Sequence, residues 1–167
     1  MEKTKETDLW IATAILIITA VVMITVILHL VHISFFIGPF RLSHWFTWIG
    51  TIYIAIAVPI VALSKKRFPQ KYKTLLRVHV FGNLLAFTLT SFHFASQISR
   101  PAESYPDLGT GIVLYMAMIL LVSTGIIQRF QLKPNIKPQT YRFLHTGSAL
   151  VFYLTIVIHI LHGLGML

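Results

Sequence analysis

The chain has 167 residues, of which 56% are hydrophobic and 11% charged, and its mean hydropathy is +0.76. A soluble chain of this size has no interior large enough for so much apolar surface, so a polytopic membrane protein is expected. The absence of cysteine excludes disulfides, cysteine-ligated iron–sulfur clusters, thiolate zinc sites and cysteine nucleophiles, and the net charge of +9 lies mostly beside apolar runs, where it reports orientation and anionic lipid rather than nucleic acid.

Five runs are long enough to cross a bilayer. Span 1 covers about Leu9 to Leu30, continuing toward Phe35, with Asp8 placed to cap its start. It is longer than a signal-peptide core and lacks a small-residue cleavage site, so it should be retained. His29 and His32 end it on one face. Span 2 covers about Leu42 to Leu63. It opens on His44 and Trp45 as interfacial residues and should bend at Pro59. Span 3 (about Leu75 to Ile98) follows a basic loop, and span 4 (about Leu108 to Phe130) carries no histidine. Span 5 covers about Tyr141 to Leu164. The fold class is therefore an all-α polytopic helix bundle, a single membrane domain over residues 1–167.

Charge orients it. With the Lys65–Arg77 loop inside, twelve bases fall inside: Lys3, Lys5, Lys65, Lys66, Arg67, Lys71, Lys73, Arg77, Arg129, Lys133, Lys137 and Arg142. Only two, Arg41 and Arg100, fall outside. The positive-inside rule then puts the N-terminus inside and the C-terminus outside, and the expected location is the plasma membrane.

The chemistry-bearing pattern is a repeated spacing. His79 and His93 lie fourteen residues apart on span 3, and His145 and His159 are fourteen apart on span 5. Fourteen residues rise about 21 Å in nearly four whole turns, so each pair shares a helix face. Spans 3 and 5 run in the same direction, which matches His79 with His145 at the inner side and His93 with His159 at the outer side. Any one of these histidines can also be a packed, hydrogen-bonded group or a proton relay. As two matched pairs with no carboxylate in these spans, they fit the axial ligands of two b haems better than a bare metal. Gly82, Ala86 and Thr90, with Ser148, Ala149, Phe152 and Thr155, would line the facing surfaces and leave room for a macrocycle. Arg77 and Arg142 on the inner side, and Arg100 on the outer, are candidates for haem propionates, or else interfacial lipid anchors. Asn83, one turn from His79, should meet a polar partner.

The paired histidine helices, one span apart, resemble the transmembrane domain of the ferric reductase, NADPH oxidase and YedZ-type superfamily. The resemblance covers about Leu42 to Leu164, with a haem-binding core over residues 75–164. It implies two stacked haems ligated by His79/His145 and His93/His159. The family commonly has a sixth span, and its reductases continue into a flavin and nicotinamide domain. Neither is present here, so the electron donor would be a separate reductase or flavoprotein subunit, a quinol or a small reductant.

The expected function is thus a di-haem cytochrome b carrying electrons across the membrane to ferric iron, oxygen or a quinone. One alternative is a haem-bearing subunit of a separate oxidoreductase. Another is a haem-free transporter or membrane scaffold. His29, His32, His44 and His162 are expected near the outer interface, as an outer redox or metal site or as ordinary interfacial histidines. The expected partners are membrane lipid, a quinone or flavoprotein subunit, and a second copy of the chain.

Overall fold

In a computed structural model, residues 3–31, 35–101, 109–132 and 137–166 are described. Five long helices account for nearly all of them: α1 (Lys3–Ile27), α2 (Leu42–Arg67), α3 (Tyr72–Ile98), α4 (Gly109–Phe130) and α5 (Pro138–Gly163). All five are long and apolar enough to cross a membrane. Their outward faces carry exposed Ile18, Val21, Leu85, Leu150 and Leu154, surface that hydrocarbon accepts and water does not. The chain is an all-α membrane bundle embedded in lipid.

The ends of the helices follow local chemistry. α1 starts earlier than the apolar run, because Lys3 to Thr7 are compatible with a helix that extends beyond the hydrocarbon. α2 runs through Pro59 and stops at Arg67. The stop has a cause, since Phe68 precedes Pro69 and is pushed out of the helical region. α5 begins with Pro138 in its first turn, where a missing N–H costs nothing. Between α1 and α2 lies a feature that apolar run lengths do not reveal, a two-stranded ribbon of β1 (Phe36–Ile37) and β2 (Phe40–Arg41). Gly38 turns it with a φ of +60°, which glycine adopts freely. The ribbon is tied to α2 by the Trp45 indole, which donates to the Ile37 carbonyl at 3.0 Å.

The chain forms two compact units, Met1–Pro101 and Ala102–Leu167. In the first, α3 packs against both α1 and α2. Small residues permit the α2–α3 approach: a side chain at Gly50 would meet the Ala86 backbone. At Gly82 the phenol of Tyr53 covers the backbone, and its hydroxyl donates to the Val78 carbonyl at 2.6 Å. Val26, Phe92 and Ala95 form a buried cluster, with Phe46 edge-on to Phe92. The α1–α3 contact is partly polar. Thr19 and Thr88 hydroxyls meet at 2.7 Å, and each also reaches the carbonyl one turn back on its own helix. Such internal satisfaction suits hydroxyls in a medium without water.

An ion pair joins the starts of α1 and α3. Arg77 donates to the Asp8 carboxylate at 2.8 Å; the aspartate side chain is 2% exposed and the arginine 54%. Asp8 therefore lies within α1 as a buried anion rather than capping it.

In the second unit α4 and α5 pack together. Leu114, Ala117, Met118 and Phe152 are among their buried side chains. Gln128 donates to the Tyr141 carbonyl at 3.2 Å near the turn between the helices.

Candidate functional site

The α4–α5 packing is antiparallel, and its polar contacts fall in one register. From Gln128–Tyr141, a step of four residues along each helix reaches Thr124 and His145, whose Oγ1 and Nδ1 lie 2.9 Å apart. Fourteen residues further, Thr110 Oγ1 and His159 Nδ1 are again 2.9 Å apart. Each threonine is followed by a glycine beneath the ring. A Cβ at Gly125 would come 3.4 Å from His145 Cε1, and one at Gly111 would come 3.6 Å from His159 Cε1. Thr-Gly occurs at 110–111 and 124–125 with the same fourteen-residue spacing as the two histidines. The hairpin thus holds two imidazoles, about 21 Å apart along the helix axis, each seated on a threonine hydroxyl.

The histidines of the first unit have different neighbours. His79 lies one turn from Asn83, whose amide nitrogen approaches its Nδ1 at 3.2 Å and its Nε2 at 3.3 Å. The polar partner expected for Asn83 is therefore His79 itself. His93 meets His44 of α2 edge-to-face, with ring centroids 4.8 Å apart, and Phe40 lies 6.2 Å from His44. His29 follows α1 with a φ of +57°, and His162 lies one turn beyond His159 on α5. His32 is outside the described residues. Of the cationic candidates, Arg77 holds Asp8 and Arg142 is exposed. Arg100 follows α3. Burial, together with the charge of Arg41, holds its guanidinium below its usual pKa range.

This arrangement corrects the expectation of two b haems. Among the described residues no group of three or more His, Asp, Glu or Cys side chains gathers as a metal site. The α3 surface expected to seat a macrocycle is filled: Tyr53 lies on Gly82 and Gly50 lies on Ala86. The haem cofactors are withdrawn, and with them the resemblance to the ferric reductase, NADPH oxidase and YedZ-type superfamily and the reading as a di-haem electron carrier. Iron, metal-binding and cytochrome b descriptions fall with them.

Spacing alone did not identify the residues that matter in α4, because threonine is an ordinary member of a membrane helix. The repeat of Thr-Gly at the histidine separation is the signal that could have found them. No family model matches the chain, and no curated protein or solved structure matches it. Fold and site define its class: an all-α, five-helix membrane bundle with hydrogen-bonded histidines inside its spans.

Proposed function

We propose that the protein is a haem-free membrane transporter, with its polar track along the α4–α5 hairpin. The observation that carries this reading is the pair of histidine–threonine contacts, Thr124–His145 and Thr110–His159, in one register inside two spans. Ionisable groups are expensive in a membrane and mark ion or substrate paths. A membrane scaffold, the second reading, needs only packed helices and has no use for two such stations.

We further propose that residues 1–167 act as one membrane domain in the plasma membrane, N-terminus inside and C-terminus outside. The twelve-to-two distribution of bases supports that orientation. Arg142 on the inner side, and Arg100 beside Arg41 on the outer, would meet lipid headgroups, and a second copy of the chain is the proposed protein partner. The quinone and the separate flavoprotein belonged to the electron-carrier reading and are not carried forward.

The test is reconstitution of the purified protein in liposomes, with protons, monovalent cations and small neutral solutes as cargoes. Flux above protein-free liposomes, lost in a His145→Ala/His159→Ala variant that still inserts, supports transport. No flux for any cargo leaves the scaffold reading.

A further inference from the structure

We infer that His145 is a proton-binding site whose accepting atom is Nε2, held ready by Thr124. Its part in transport rests on the reading above, whereas the site itself rests on the α4–α5 geometry.

A threonine hydroxyl has one hydrogen to donate and lone pairs to accept with. Thr124 Oγ1 lies 2.6 Å from the Leu120 carbonyl and 3.3 Å from that of Leu121. A carbonyl can only accept, so the single hydrogen is committed to its own helix. The 2.9 Å contact with His145 Nδ1 must then run the other way: Nδ1–H donates and Thr124 Oγ1 accepts. A neutral imidazole carries one N–H. With that hydrogen on Nδ1, Nε2 presents a bare lone pair.

Binding is simple to balance. A proton from water attaches to the Nε2 lone pair, the Nδ1–H···Thr124 bond remains, and the ring gains one positive charge with no electron moved. The packed helix, α4, carries a single charged residue, Arg129, five positions beyond Thr124. On α5 the neighbouring groups are Tyr141 and Arg142. Neither helix contains a carboxylate. The imidazolium would therefore have no fixed counter-charge on the hairpin, which suits a group that takes a proton and gives it up.

The test is 15N NMR of the full-length protein in lipid bilayers with labelled histidine, the His145 signals being assigned by their loss in His145→Asn. At alkaline pH the wild-type ring should be mainly the Nδ1–H tautomer. Thr124→Val should shift the ratio of Nδ1–H to Nε2–H forms by about fivefold toward Nε2–H, the loss of one ordinary hydrogen bond. Thr124→Ser should restore it, and Thr110→Val should leave it unchanged. On acidification of the wild type, Nε2 should gain the proton while Nδ1 keeps its own. An Nε2–H majority in the wild type overturns the proposal, as does an unchanged ratio in both Thr124→Val and Thr124→Ala. The expected tautomer in a protein that moves nothing across liposomes would retain the site and overturn the transport reading, so the two failures are distinct.

Discussion

Replacing Arg77 by alanine removes the cation from a carboxylate that is almost wholly out of solvent. At the observed 2.8 Å, two unit charges attract by about 6 kcal/mol at an effective dielectric of about 20, and by about 1.5 kcal/mol in bulk water. Arg77 is 54% exposed, so solvent screening draws the value toward the lower figure. The Asp8 side chain is 2% exposed and cannot recover much hydration, which draws it back up. A loss of about 3 kcal/mol follows for Arg77→Ala. For a chain of this length that is a fall of roughly 6–12 °C in the midpoint of thermal unfolding in detergent. Asp8→Asn should cost less, about 1 kcal/mol, because the arginine left behind can turn to water and the amide stays polar. The double variant should recover most of the Arg77→Ala loss, since no buried charge remains. The assay is the midpoint of all four proteins in one detergent. Equal losses for the two single variants, or simple additivity in the double variant, would refute the account of a buried anion that needs its arginine.

The glycines provide a paired contrast. Gly82→Ala must displace the Tyr53 ring and should cost about 1–3 kcal/mol, most of it relieved in a Tyr53→Ala background; an equal cost in both backgrounds would show that Tyr53 is not the obstacle. Gly125→Ala meets only ordinary contact with His145 and should be neutral, or stabilising by up to about 1 kcal/mol through helix propensity. A large loss there would mean the ring sits closer to α4 than the structure has it. Because the chain has no cysteine, single cysteines at Thr4 and Met166 can report orientation directly. An impermeant maleimide should label Met166→Cys in intact cells and reach Thr4→Cys only after permeabilisation; the reverse pattern would invert the proposed topology.

How much could be read beforehand depends on what kind of physics wrote it. The spans are legible because burial in hydrocarbon is a property of composition over about twenty residues, and the observed helices differ from the expected ones at their ends, α1 stopping at Ile27 short of Leu30. At the polar ends, Lys3–Thr7 and Lys65–Arg67 continue a helix although they do not belong to the apolar run. Contacts within the bundle are another matter. Equal spacing of His79/His93 and His145/His159 places each pair on one face, but a face does not name its neighbour. Gly82 looked like room because it is small; it is small because Tyr53, twenty-nine residues earlier, lies on it. Arg77 looked available for a ligand because Asp8 looked like a cap. In both cases the missing knowledge was a tertiary partner on another helix. Thr110 and Thr124 are the sharpest instance. A threonine in a membrane helix usually satisfies itself on its own backbone, so it carries little signal alone. What distinguishes Thr124 is that, with its hydrogen spent on Leu120, its oxygen also meets His145 Nδ1 at 2.9 Å, so the residue that looked self-contained is the one able to dictate the tautomer of a histidine on the next helix.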